Sequence, residues 1–183
     1  MRPLLLAALI ALVPTAVLHA ADRPRLLVLT DIGGDPDDQQ SLVRLLLYAN
    51  EFELEGLIAT ASGTPGELKQ AVTKPELIRE LVEAYAQVRP NLTNHAAGYP
   101  LPDQLLARMK SGNPQRGRPV IGEGQDTEGS RFIVEVASRP DPRPLNVAIW
   151  GGQTDFAQAC WAVRKEWGTD RSEERRVGKE CCR

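Results

Sequence analysis

The 183-residue sequence predicts an α/β domain with a mainly parallel, Rossmann-like sheet and flanking helices. Three observations indicate this fold class. Short apolar runs suited to buried strands alternate with longer segments of helical periodicity, no internal repeat is present, and most of the apolar runs end in polar residues. Because ligands of open α/β sheets bind outside the carboxyl ends of the strands, these polar residues mark the predicted functional edge.

The first four elements are predicted from continuous apolar runs and helical spacing. Residues 26–30 begin with four apolar residues, and residues 54–61 have Leu57-Ile58-Ala59 at their centre, which predicts buried strands. Leucines at helical spacing predict a helix over 36–49 between these strands. A second amphipathic helix is predicted over 75–88, where apolar side chains recur at i, i+4 and i+8.

The second half of the sequence is less regular. Prolines are frequent over 91–119, which predicts a loop with one short helical patch near 104–110. Four further elements are predicted downstream: a strand at 119–121, a helix that Ser130 would cap, a strand at 145–150 and a helix over 154–167.

Both ends of the sequence differ from the predicted domain, which covers 21–170. Residues 1–20 have the layout of a cleavable secretory signal, so we expect a secreted or periplasmic protein that leaves the membrane after cleavage, with a membrane anchor as the alternative. Residues 171–183 have no apolar periodicity and resemble a translated sequencing adaptor, so we expect an artefact and a truncated gene. A charged, solvated tail is the alternative.

Charge and cysteine content narrow the function classes. Without the net +2 of the tail and the +1 of Arg2, the formal charge of −2 becomes −5. This acidic balance argues against nucleic acid as a partner. Cys160 is the cysteine that lies within the predicted domain, so no intrachain disulfide is expected, and its apolar neighbours suggest a buried side chain.

The stretch TDIGGDPDDQQ follows the first predicted strand and places four aspartates in one turn, namely Asp31, Asp35, Asp37 and Asp38. Helix capping and the helix dipole account for the last three. They do not account for Asp31 or for the glycine pair Gly33–Gly34, which lets the backbone fold tightly. Clustered carboxylates raise each other's pKa unless a cation lies among them, so the turn predicts a site for Ca²⁺ or Mg²⁺.

Other acidic or glycine-rich motifs fit less well. The loop lacks the glycine and the terminal glutamate of an EF-hand, and it lacks the Gly-Lys-Ser/Thr ending of a phosphate loop. An aspartyl-nucleophile phosphatase would place Asp-x-Asp directly after the strand, where this chain has Asp31-Ile32-Gly33. That function remains a weaker alternative.

This turn, together with the segments EGLIATASGT, IGEGQDTEGSRFIVE and IWGGQTDFAQA, resembles the nucleoside hydrolases. The sequence is most similar to the nucleoside hydrolase-like domain of exported bacterial proteins described as cellulose-binding, whose turn reads Thr-Asp-Ile-x-x-acidic-Pro-Asp-Asp. The likeness covers most of 25–167. It implies the N-terminal half of a nucleoside hydrolase-like fold.

The resemblance also implies roles for residues of the turn. It implies a bound Ca²⁺ in preference to Mg²⁺, with Asp37 as the general base and Asp38 as a metal ligand. Thr154 would bind the metal through its carbonyl. Gly33 stands where the family has a second Asp when the Asp-Asp pairs are aligned, so Asp31 and Asp35 are the remaining candidate ligands.

Candidate substrate-binding residues follow the other predicted strands. Thr64 and Asp155 stand where the hydrolases carry asparagines, which puts nucleoside specificity in question. The other candidates are Glu123, Asp126 and Trp150, of which the first two could instead cap a helix. The resemblance implies a hydrolase of N-glycosidic or related sugar linkages, with turnover lost in this truncated form. The alternative is a non-catalytic module that binds cellulose or another polysaccharide.

Overall fold

The computed structural model describes residues 23–64 and 71–174, with side chains described as far as residue 166. The predicted signal at 1–20 and residues 175–183 of the predicted artefact lie outside the described residues. None of the helices in the described ranges combines the length and the apolar character needed to cross a bilayer.

The described residues form one parallel sheet of four strands in the order β3-β2-β1-β4. The strands are β1 (Arg25–Thr30), β2 (Glu53–Ala59), β3 (Met109–Ser111) and β4 (Leu145–Ile149). β1 and β2 are almost completely buried, as expected for central strands of a parallel sheet that is covered on both faces. The predicted α/β class with a mainly parallel, Rossmann-like sheet is confirmed.

Helices cover both faces of the sheet. They are α1 (Asp37–Leu47), α2 (Pro75–His95), α3 (Pro102–Ala107), α4 (Glu128–Ser138) and α5 (Thr154–Glu174), with short 3₁₀ turns at Ala49–Glu51 and Arg118–Val120. On one face Val28 and Leu57 pack with α1, α2 and α3. On the other face Leu27, Leu29 and Ile58 pack with α4 and α5. Successive strand residues therefore fill two cores, because their side chains point to opposite faces.

The amino edge of the sheet holds a buried ionic cluster. The register between β1 and β2 shifts after Leu26, so Glu55 is an extra, bulged residue of β2. Its carboxylate pairs with Arg25 Nε at 2.7 Å and with Arg139 Nη1 at 2.6 Å. Arg25 also donates to the Val136 carbonyl at the end of α4. The cluster fastens α4 to the two central strands.

Several predictions for the irregular part of the chain are wrong. Residues 119–121 are a 3₁₀ turn and loop. The predicted helical patch at 104–110 corresponds to α3, which ends at Ala107, and the third strand of the sheet is β3, which overlaps the end of that patch. Helix α2 continues through Pro90 to His95, and α5 extends beyond 167. Helix α4 begins after Thr127, which accepts the Ser130 N–H, while the Ser130 hydroxyl accepts the Thr127 N–H. Cys160 is exposed on α5.

Candidate functional site

The candidate site lies at the carboxyl edge of the sheet, at the end of β1. β2 lies on one side of β1 and β4 on the other, so the chain leaves β1 at the topological switch point. In open α/β sheets ligands bind in the crevice at this point. The acidic turn follows β1, and the loops that follow β2 and β4 flank it.

Asp31 is enclosed by those two loops. Its Oδ2 accepts the N–H of Gly63, in the loop after β2, at 3.3 Å. A Cβ atom on Gly151, in the loop after β4, would lie 2.0 Å from Asp31 Oδ1. The two loops are tied to each other because the Thr60 hydroxyl donates to the Gly151 carbonyl at 2.8 Å. Glycine at 151 thus allows the Asp31 carboxylate to lie directly against the backbone.

Asp38 is also buried, in the first turn of α1. Its Oδ2 accepts a hydrogen bond of 2.5 Å from the hydroxyl of Thr30, the last residue of β1. Burial raises the pKa of Asp38 to about 6, against the hydrogen bond from Thr30, and the hydrogen-bonded Asp31 carboxyl adds to the rise. The structure therefore brings Asp31 and Asp38 together as a carboxyl pair.

Asp35 and Asp37 face solvent instead. Asp35 Oδ1 accepts the Asp37 N–H at 3.3 Å, and Asp37 Oδ1 accepts the Asp38 N–H at 2.8 Å, so both side chains hold the start of α1. The pKa of Asp37 is raised, mainly by its side-chain hydrogen bond with Asp35 and also by the negative charges of Asp35 and Asp31. A raised pKa makes a carboxylate a better proton acceptor.

A divalent cation fits part of this arrangement. Asp31 and Asp38 offer adjacent carboxylate oxygens, the ligand type of Ca²⁺ and Mg²⁺. Within the described residues, no lysine or arginine forms an ion pair with either carboxylate. No group of three or more His, Cys, Asp or Glu side chains in the same ranges is arranged to hold a metal ion. Two of the predicted carboxylate ligands thus converge, while the exposed Asp35 does not complete a set of three.

Thr154 and Asp155 begin α5 and are both buried. The Thr154 hydroxyl accepts the Gly117 N–H at 3.0 Å. Its carbonyl lies in the first turn of a helix, where carbonyls ordinarily bond to the N–H four residues on. The predicted role of Thr154 as a carbonyl ligand stays a prediction.

Asp155 is 1% exposed and has its partners inside the protein. It accepts the Asn113 N–H at 3.0 and 3.2 Å and the Thr127 hydroxyl at 2.6 Å, so it joins the end of β3 to the start of α4. Burial raises the pKa of Asp155, and these hydrogen bonds oppose that rise. The structure gives Asp155 a structural role, and a direct substrate contact stays a prediction.

The other predicted substrate-binding residues are spread along the same edge. Thr64 is exposed beyond β2, and its N–H donates to the Ser62 hydroxyl. Trp150 is half-buried after β4 and packs against the core beneath α1 and α2. Glu123 is exposed and pairs with Lys165, which lowers its pKa, and Asp126 accepts from the Gln158 amide. The last two acidic side chains therefore face α5.

Sequence reasoning missed residues that act through the backbone or across loops. Gly151 and Gly63 contact Asp31, and Thr30 binds Asp38. Arg116, in the predicted loop, donates to the Gly63 carbonyl at 2.8 Å. The glycine pair after β4 was a signal of close backbone approach. Nothing in the local sequence pairs Arg116 with a residue 53 positions away.

Comparisons with known proteins agree with this architecture. A model of the family described as "Cellulose-binding Sde182, nucleoside hydrolase-like domain" matches residues 25–178. A solved structure of a nucleoside hydrolase-related hypothetical protein from Saccharophagus degradans, associated with carbohydrate metabolism, is 37% identical with a TM-score of 0.77. The match covers 84% of this chain and 36% of that one, so this chain spans little more than a third of that protein. No curated protein matches the chain.

Proposed function

Because this chain belongs to the cellulose-binding Sde182, nucleoside hydrolase-like domain family, we propose that the carboxyl edge of its sheet is a glycan site with a hydrolytic centre. In this proposal the full-length protein hydrolyses an N-glycosidic or related sugar linkage. Ca²⁺ is the proposed cofactor, with Mg²⁺ as the weaker alternative.

The buried carboxyl pair carries the proposal. Asp31 and Asp38 lie close together without a cationic side chain, and the pKa of Asp38 is raised mainly by burial and further by Asp31. A divalent cation held by both would offset the repulsion. Water, backbone carbonyls or glycan hydroxyls would complete its oxygen shell.

The exposed Asp37 is the proposed proton acceptor. It lies next to the pair in sequence, faces solvent and has a raised pKa. Asp31 and Asp38 would hold the cation, which when bound would lower the pKa of a nearby water. Asp37 would accept the proton of the attacking water, and the acidic turn would stabilise positive charge developing on the sugar.

A second candidate function is glycan binding without catalysis. The described residues contain no group of three His, Cys, Asp or Glu side chains placed to hold a metal, which favours this candidate. The family description names cellulose binding, which supports a polysaccharide ligand under either candidate. The two functions share the site and differ in whether Asp37 is needed.

The test compares Asp37→Asn with Asp103→Asn in the full-length protein. Both aspartates are exposed in the first turn of a helix, and Asp103 in α3 has no part in the site. With Ca²⁺, we expect release of base or sugar from nucleosides or aryl glycosides, lost in Asp37→Asn and kept in Asp103→Asn. If every variant is retained on insoluble cellulose and none releases base or sugar, the protein binds glycan without hydrolysing it.

Calorimetry with CaCl₂ tests the cation separately. We expect heat of binding in the wild type and its loss in Asp38→Asn, with Asp103→Asn as the matched control. The absence of Ca²⁺ and Mg²⁺ uptake by the wild type would refute the metal while leaving glycan binding open.

A further inference from the structure

The connection between β3 and α4, residues 112–127, is fastened to the start of α5 along its length. Three buried polar side chains of α5 hold it: Thr154 binds the Gly117 N–H, Asp155 binds the Asn113 N–H and Thr127, and Gln158 binds Gly122 and Asp126. Five points of attachment over sixteen residues leave the connection little freedom. It is a preformed wall beside the carboxyl edge of the sheet.

Arg116 projects from this wall toward the acidic turn. Its Nη1 donates to the Gly63 carbonyl at 2.8 Å, while the N–H of the same glycine donates to Asp31. The Arg116 guanidinium and the Asp31 carboxylate therefore bind the same residue, Gly63. Arg116 is nevertheless exposed, so a ligand can reach it.

We propose that Arg116 is a ligand-binding residue that donates hydrogen bonds to hydroxyl oxygens of a glycan lying along the carboxyl edge. The inference rests on the proposed glycan site and adds a residue and a ligand class to it. A guanidinium carries five N–H donors in a fixed plane, and one hydrogen bond to Gly63 leaves the group able to bind paired oxygens. Its position is set before the ligand arrives, which reduces the entropic cost of binding.

The surrounding charge favours a neutral glycan. Four acidic groups lie in the neighbouring turn, and a cation held by Asp31 and Asp38 would leave the exposed Asp35 and Asp37 uncovered, so the turn disfavours an anionic sugar. A β-1,4-glucan has no charge and presents pairs of hydroxyls along its length. Cellohexaose is therefore the probe.

The test measures cellohexaose binding by titration calorimetry for the wild type, Arg116→Gln and Arg118→Gln. Arg118 is an exposed arginine in the same connection, which makes it the matched control. We expect the Kd to rise at least fivefold in Arg116→Gln and less than twofold in Arg118→Gln. Arg116→Lys keeps the charge without the planar fork and should give an intermediate Kd.

The outcomes separate this inference from the proposed function. A wild type that binds no cellohexaose and no cellulose would refute the glycan site itself. Wild-type binding that Arg116→Gln and Arg118→Gln change equally, or not at all, would overturn the role of Arg116 alone. Tighter binding of a glucuronic acid oligomer than of cellohexaose would overturn the neutral ligand class. Thermal unfolding of each variant shows whether a change in Kd accompanies loss of structure.

Discussion

Replacing Glu55 by Gln should destabilise the fold more than a Glu→Gln substitution on the surface. Glu55 is 3% exposed and Arg25 is 2% exposed, and their side chains meet at 2.7 Å. Glutamine keeps the shape of the side chain but removes its charge. Arg25 then keeps its positive charge in the interior without its main partner, as does the part-buried Arg139.

The size of the effect follows from what remains around Arg25. Breaking a buried ion pair by removing one partner costs about 3–5 kcal/mol. Asp141 lies 3.6 Å from Arg25 Nε, and the Val136 carbonyl still accepts from Nη2. These partners offset part of the loss, so we expect a decrease in the free energy of unfolding of about 3 kcal/mol.

Glu135 provides the matched control. It pairs with the same Arg139 at 3.0 Å, but its side chain is 63% exposed. Exposed i,i+4 pairs contribute roughly 0.3–0.5 kcal/mol, so Glu135→Gln should be nearly neutral. Urea unfolding followed by far-UV circular dichroism gives both values. Equal effects of Glu55→Gln and Glu135→Gln, or a loss below about 1 kcal/mol for Glu55→Gln, would refute the assignment of a buried ionic cluster.

Three further predictions concern the site. The pKa of Asp38 is about 6 in the folded chain and near 3.8 unfolded, so the folded state binds more protons between these values. In a chelator, Asp38 should therefore contribute a loss of stability of up to about 3 kcal/mol as pH rises from 4 to 7. Asp38→Asn should remove this contribution in urea titrations and leave the smaller slope that the raised pKa values of Asp37 and Asp155 produce. Gly151→Ala should lower the melting temperature because its Cβ would meet Asp31 Oδ1, whereas Gly63→Ala, with its nearest contact at 3.5 Å, should be milder. Asp155→Asn should cost about 1–3 kcal/mol because a buried NH₂ donor replaces the Oδ2 acceptor beside the Asn113 N–H, and faster amide exchange at the end of β3 would locate the loss.

The long regular elements could be predicted because their signals are local. The strands β1, β2 and β4 each contain a short apolar run, and α1 and the first part of α2 show helical spacing over several turns. β3 has three residues and no apolar run, so its pairing with Leu57 and Ala59 recruits it into the sheet. The predicted helix over 75–88 is shorter than α2, which continues through Pro90 to His95, and Leu92 of this extension packs against the core.

The candidate site, like the fold, could be predicted in part. Its position was predictable, because a turn with four aspartates follows a buried strand and polar residues follow the others. The separate roles of these aspartates were not. Thr30 and the backbone approach of Gly151 draw Asp38 and Asp31 inward, while Asp35 and Asp37 remain in solvent.

The sequence by itself determined the α/β class, the positions of β1, β2 and β4 along the chain and the acidic turn, since each depends on residues that are neighbours along the chain. Only the tertiary structure decided which aspartates form a pair, that Asp155 joins β3 to α4, and that Arg116 reaches Gly63. These contacts join residues between 28 and 120 positions apart or depend on loops closing over a strand end. Local propensity carries no information about these contacts, because the packing of the whole sheet brings the residues together.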